Sequence, residues 1–424
     1  GCRKRSVLCA RKLPGGRAAN DHPELKPAPQ SGELLTYCTL VGLVAYSAIA
    51  TDLYLPAIPF MISDLGASEA EGQLTLSIFM AGLALGQLIF GPLSDQFGRL
   101  PVVRAGTVCF IVTSALCAIA SDMDLMWAMR GLQGIAAASG PVIARAIVRD
   151  RYEGNRAAQV MSTLSGAMAV IPMLAPSAGV LIMKFFAWPA IFVALAGFGG
   201  LILLALARMP ESAPAAISER LTFRSVLSAF GEMLSCRAFL GYQMAGSFSF
   251  AALFCYLSTV AYLLPDVFNI PTALFGYAFA ITVLGFMTGS LINARVVVRY
   301  GLDNTLRTGL LISLTSALAI ALLSPNAAQF MPVMALLSCL FFLGVGLTAA
   351  NASMGAISLF RERAGAASAV YGFTHALLAS AIGALAGELY RGRLIEPALI
   401  ILASAVLAVS GLALTRSPQL PKNA

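Results

Sequence analysis

Two ionised side chains stand inside long apolar runs of this sequence. Asp52 lies in Thr51-Asp52-Leu53-Tyr54-Leu55-Pro56-Ala57-Ile58-Pro59, and Arg130 opens Arg130-Gly131-Leu132-Gln133-Gly134. Charge at membrane depth is costly, so both are functional candidates before any other information is used. Desolvation favours the neutral form of a carboxyl group, which suits an acid at that depth to take up and release a proton. Arg130 keeps its charge and can meet a substrate or a carboxylate. A second group, Gly91-Pro92-Leu93-Ser94-Asp95-Gln96-Phe97-Gly98-Arg99 together with Arg149-Asp150, sits where apolar runs end. Met244, Phe248, Phe250, Phe254 and Tyr256 could offer soft, flat surfaces to an apolar ligand, and equally well pack against neighbours. His375 reads as a packing residue with one backbone hydrogen bond in preference to a proton relay. The eight Cys have no metal-ligand spacing and there are only two His, so zinc and haem are not indicated.

The elements that position these residues follow from composition. Of 424 residues, 58% are hydrophobic and 11% charged, against roughly 45–50% and 25% in soluble domains. Such a chain could not cover its surface with polar groups, and it is too apolar to remain disordered. It is expected to be an all-α membrane protein. Apolar runs at 34–61, 72–93, 101–120, 125–148, 158–183 and 187–207 are followed, after a polar break at 208–236, by 237–264, 273–297, 305–324, 330–357, 364–387 and 394–415. That predicts twelve transmembrane helices in two sets of six. The organisation expected is a basic, disordered cytoplasmic tail over 1–33, a bundle over 34–207, a cytoplasmic linker over 208–236, a second bundle over 237–415 and a tail over 416–424.

Charge placement gives an orientation. With a cytoplasmic N-terminus, the cytoplasmic connections and C-terminal tail carry seventeen Lys or Arg and the opposite connections three. The positive-inside rule therefore predicts both termini in the cytoplasm. A shift of 203 residues sets Arg299-Tyr300-Gly301 on Gln96-Phe97-Gly98, and shifts of 209 and 210 set Pro265 on Pro56 and Gly344 on Gly134. These matches suggest two pseudo-symmetric repeats around a midplane site. Val298 stands at the Asp95 position of the second repeat.

The segment Gly91 to Arg99 resembles the G-x-L-[AS]-D-[RQ]-[FYW]-G-[RK] signature of the major facilitator superfamily, at the same place in the topology. Arg130 to Gly134, running on to Ala144-Arg145-Ala146-Ile147-Val148-Arg149-Asp150, resembles its fourth-helix motif. Thr51 to Pro59 resembles the first-helix signature of the bicyclomycin- and chloramphenicol-resistance (Bcr/CflA) group. Gly166 with Ala175-Pro176-Ser177-Ala178-Gly179 resembles the antiporter motif of the fifth helix, although Ala175 and Val180 stand where that motif has Gly. The resemblance covers about residues 36 to 415. It implies drug:proton antiport, with Asp52 coupling the proton and Arg130, Tyr54, Met244 and Phe248 in the substrate cavity. It implies a cytoplasmic gate built from Gly91, Asp95, Gly98, Arg99 and Arg149. Within it Asp95 is expected to pair with Arg149 and with the start of the eleventh helix near Gly365 to Ser368. Gly166, Pro176 and Gly179 are carried over as the antiporter motif.

No G-x-x-x-x-G-K-[ST] segment is present, which disfavours ATP-driven transport, and no cofactor is called for. The expected partners are protons, a small-molecule substrate and the bilayer of a bacterial inner membrane, with a functional monomer and no nucleic acid. A proton-coupled importer of nucleosides or other small metabolites is the alternative. A membrane-embedded enzyme would call for clustered carboxylates or His at the membrane surface, and none is seen.

Overall fold

A computed structural model describes residues 31–152, 160, 164, 171, 174–211, 230–271, 274–360 and 364–415. The two tails, Gly166 and most of the connection between the halves lie outside the described residues. Among the described residues all regular structure is helical: α1 Ser31–Asp52, α2 Ile58–Leu65, α3 Glu69–Phe97, α4 Arg99–Ala118, α5 Met123–Arg151, α6 Leu174–Phe185, α7 Pro189–Ala207, α8 Arg237–Asp266, α9 Phe275–Tyr300, α10 Leu302–Leu323, α11 Met331–Ser358, α12 Ala364–Leu389 and α13 Ile395–Thr415. Eleven spans are long and apolar enough to cross a membrane, α1 and α2 together forming the first; the twelfth expected span is represented by the shorter α6. Several helices outrun their apolar runs. α5 continues to Arg151, because a helix needs no apolar side chains once it leaves lipid.

The first span is broken where the sequence removes two donors. Pro56 has no N–H to give to the carbonyl of Asp52, and Pro59 none for that of Leu55. α1 accordingly stops at Asp52, a short 3₁₀ turn covers Leu55–Ala57, and α2 resumes at Ile58. Irregular backbone at this depth is tolerated only where protein or a cavity surrounds it, and Leu53 to Ala57 are all buried.

Helices α1, α4, α5 and α7 pack together with α3, while α8 gathers α11, α12 and α13, and α11 joins α9 to α10. The main seam between these two sets is α3 against α12. Without a hydrophobic drive between helices in lipid, close approach of backbones supplies the contact. A Cβ at Gly134 of α5 would run into the carbonyl oxygen of Phe79 in α3, and one at Gly82 into that of Gly131. Leu201, Leu204 and Leu322 point outward, as lipid-facing side chains should.

Adding one methyl group should therefore have opposite effects at two helical glycines. Gly134→Ala forces α3 and α5 apart and should cost about 1–3 kcal/mol, the usual range for overpacking. Gly200→Ala, where a Cβ meets nothing within 4 Å, should be neutral or stabilising. Thermal unfolding of both variants in detergent checks the contrast.

Candidate functional site

Arg130 is fully buried near the middle of the first half. No carboxylate forms an ion pair with it; the ion pairs among the described residues belong to Arg99. Its guanidinium instead lies 4.4 Å from the ring centre of Phe79, 4.7 Å from that of Tyr54 and 5.9 Å from that of Phe192. Desolvated cation–π contacts of this kind contribute about 2 kcal/mol. Its Nη1 donates to the Ala50 carbonyl (3.2 Å) and to Gln133 Oε1 (2.6 Å), and Gln133 Nε2 passes the chain on to Ser114 Oγ (2.7 Å). Nε and Nη2 have no protein acceptor among the described residues. Snorkelling to a membrane surface is thereby ruled out for this side chain. What remains is a fixed positive charge with two unused donors.

Asp52 closes α1 two residues beyond that Ala50 carbonyl and is 4% exposed. The hydroxyl of Thr51 is 3.2 Å from its Oδ1 and is shared with the carbonyls of Ser47 and Ala48. Tyr54 turns back from the break, its ring on Arg130 and its hydroxyl 3.0 Å from Thr75 Oγ1 of α3. The break thus brings Tyr54 and Arg130 into one neighbourhood, and Asp52 ends α1 two residues past the carbonyl that Arg130 holds. Pro176 and Gly179 of α6 are buried beside it: a Cβ at Gly179 would strike the Leu53 carbonyl oxygen and approach Pro56. Gly166 lies outside the described residues.

Met244 and Phe248 are not brought to this neighbourhood. Met244 packs on Gly411 of α13, and Phe248 packs against the cluster of Ala245, Leu306, Leu310, Ala352 and Ala408. The face of α8 that carries both is the one turned to its neighbours in the second half. Phe250 and Phe254 lie on another face. A Cβ at Gly383 of α12 would meet both Phe254 (2.8 Å) and Ser77 Oγ of α3 (3.0 Å), across the seam between the halves.

The charged end of α3 also corrects the expected pairing. Asp95 pairs with Arg99 across the Gly98 turn, at the start of α4, and not with Arg149, which is exposed. One residue along a helix is a rotation of about 100°, and it is Asp150 that faces inward, taking Arg99 Nε at 2.8 Å. Arg99 is 2% exposed, and its Nη1 also donates to Ser94 Oγ (2.8 Å). Gly98 turns the chain between α3 and α4 at φ +93°, a region that disfavours other residues. Gly91 has open space around it and no packing role here. The sequence reading missed Glu211. Its two carboxylate oxygens accept the backbone N–H groups of Arg99 (3.1 Å) and Leu100 (3.0 Å), capping α4 from a residue 111 or more positions away. An acid in a polar linker carries no signal of such a role.

Removing Arg99 leaves two carboxylates facing each other at the end of the bundle. Arg99→Gln should therefore cost about 2–3 kcal/mol, the scale of charge-assisted hydrogen bonds, whereas Arg149→Gln should stay within about 0.5 kcal/mol. Chemical denaturation of the purified variants compares them.

Comparison with known proteins agrees with this architecture. The family model described as Major Facilitator Superfamily matches residues 40–384. The uncharacterised MFS-type transporter YdgK of Bacillus subtilis is 31% identical over 85% of this chain and 90% of its own length. The bicyclomycin resistance protein homolog of Haemophilus influenzae is 29% identical over 85% and 89%, and the multidrug resistance protein MdtL of Citrobacter koseri 32% identical over 79% and 84%. A solved bacterial homolog of the human lysosomal transporter Spinster, inward-facing and unoccupied, superposes with a TM-score of 0.69 at 14% identity, covering 92% of this chain and 97% of that one. A broken first span around a buried charge, two linked sets of helices and this family match lead to one conclusion: the chain belongs to the Major Facilitator Superfamily, as a multi-pass membrane transporter of small molecules.

Proposed function

We propose that the protein exports small drug-like molecules in exchange for protons. The observation that carries this reading is a buried acid, Asp52, at the break in the first span and a buried guanidinium, Arg130, that bonds the Ala50 carbonyl in the last turn of the same α1. One group can gain and lose a proton, and the other is a permanent charge with no ion-pair partner among the described residues. With Asp52 deprotonated and the site open to the cytoplasm, substrate binds, with Arg130 and Tyr54 contributing to the cavity. After rocking outward, a proton arriving at Asp52 weakens substrate binding and substrate leaves. The protonated carrier then returns. Each step requires the two conformers to differ in their affinity for proton and substrate.

Export, and not import, is supported by the printed names of relatives at about 30% identity, which concern multidrug and bicyclomycin resistance, and by Gly179 packing on the break. Bacterial relatives and the arginine-rich connections support a bacterial inner membrane with both termini in the cytoplasm. A single chain carries both halves and the whole candidate site, which supports a functional monomer. The far end of the seam is well packed: the 3₁₀ turn and α2 meet α8, and Tyr262 lies against Gly72. That supports a state closed toward the outside.

Counterflow in proteoliposomes, with a pH gradient imposed in either direction and a panel of drugs and nucleosides, tests the reading. Asp52→Asn should lose gradient-driven export down to the level of empty liposomes while retaining substrate-for-substrate exchange. Gradient-driven export at the wild-type rate in that variant would overturn the assignment. Arg130→Lys keeps the charge but loses the planar fork and its ring contacts, and should lower transport about tenfold. Accumulation driven into the compartment corresponding to the cytoplasm would favour the importer.

A further inference from the structure

The scheme above uses side chains of the first half and leaves a cluster in the second half without a role. Four rings form a column between α8 and α12. Phe250 stacks on Phe254 at 6.5 Å and on His375 at 4.2 Å, and His375 stacks on Tyr371 at 5.5 Å, all within 30° of parallel. Beside the column are hydrogen-bonding atoms with no protein partner among the described residues: Gln243 Oε1, Tyr371 OH, His375 Nδ1 and, on the turn of α8 beyond Gly246, Ser249 Oγ. Gln243 is 2% exposed, Ser249 4% and Tyr371 7%. Buried polar atoms normally find partners, so unmet ones gathered around a single column need a reason.

The cluster is also held in place. Gln243 Nε2 donates to Ser247 Oγ (2.5 Å) and to the Tyr371 carbonyl (3.3 Å), which fixes the amide and leaves its oxygen open. A Cβ at Gly246 would collide with the Tyr371 hydroxyl, so that glycine makes room for it. Gln87 of α3 abuts Gly372, next to Tyr371, and brings the first half to the same place. Phe250 and His375 keep part of their surface open. None of these side chains is an acid, a lysine or an arginine.

We infer that this cluster is the second-half subsite for the transported molecule, and that it takes a planar, uncharged heteroaromatic ring bearing both a hydrogen-bond donor and an acceptor. The inference rests on the exporter reading and adds the chemical class of ligand. Ring faces favour a flat π-system. The open amide oxygen, hydroxyls and imidazole nitrogen reward neutral donors and acceptors. A charged group there would be buried without a counter-ion, at a desolvation penalty that neutral partners do not repay.

The probe is 2-quinolinone, a flat fluorescent lactam, with the full chain in lipid nanodiscs. N-methylquinolinium supplies the same ring with a charge and no donor, and the fully saturated lactam supplies the donor and acceptor without the flat ring. Equilibrium dialysis should show 2-quinolinone binding more tightly than either. Tyr371→Phe and His375→Phe, which keep the rings and remove one polar atom each, should weaken it about 3- to 10-fold. Phe250→Leu should weaken it about fivefold. Equal affinity for the three probes, no binding of 2-quinolinone up to its solubility limit, or unchanged affinity in both Phe variants would overturn the subsite. Should His375→Phe not fold, Tyr371→Phe, which loses a single oxygen, decides. Gradient-driven export measured in parallel keeps the two readings apart: its absence for every compound removes the exporter, whereas its presence with unchanged probe binding removes only the subsite.

Discussion

A buried guanidinium with no carboxylate partner among the described residues must be held by everything else around it, and much of the first half is arranged to do so. Phe79 reaches Arg130 because α3 and α5 touch backbone to backbone at Gly82 and Gly134. Tyr54 reaches it because two prolines end α1 early and turn the chain inward. Ala50 offers its carbonyl from the last turn of α1, and Phe192 closes the side facing α7. Four elements therefore converge on one charge. A shift of any of them changes how well that charge is solvated, which links helix packing to the energy of the site in a medium of low dielectric.

The two halves repeat the packing device and differ in the chemistry. Gly82, Gly86, Gly98 and Gly106 recur at one constant offset as Gly285, Gly289, Gly301 and Gly309. Gly98 and Gly301 adopt nearly the same backbone conformation between consecutive helices. Around Gly98 stand Asp95, Arg99, Asp150 and Glu211, whereas near Gly301 Val298 is 86% exposed and Asp303 accepts a hydrogen bond from Tyr242 at 2.6 Å. Among the described residues the ion-paired knot thus belongs to the first half alone. The second half instead buries uncharged polar groups, Asn351 bonded to Asn293 among them (2.6 Å).

What the sequence disclosed and what it concealed divide along a physical line. Asp52 and Arg130 were legible because a charge inside an apolar run is conspicuous at any register. The break in the first span has an equally local cause, because proline removes a donor wherever it stands. Side-chain direction was not. Met244 and Phe248 share a helix with Phe250 and Phe254, yet composition says nothing about which face meets which neighbour. Arg149 and Asp150 differ by one position, and only the helix register makes the second the partner of Arg99. Glu211 was hidden for another reason: its partners are backbone amides, which every residue carries and no pattern marks. The glycine repeat was present in the sequence, but short matches among small residues gain meaning only when carbonyl oxygens are seen to lie where side chains would be.

The hold of Glu211 on α4 has a mechanical consequence. Together with Arg104, which bonds the Leu206 carbonyl at 2.7 Å, and Arg151, which bonds that of Pro210, it pins the exit of α7 to the first half. The covalent tether to the second half thus begins only after residue 211, and the next described helical residue is 230. The exit of α7 is therefore carried with α4 and α5, and residues up to 211 move with the first half as one piece.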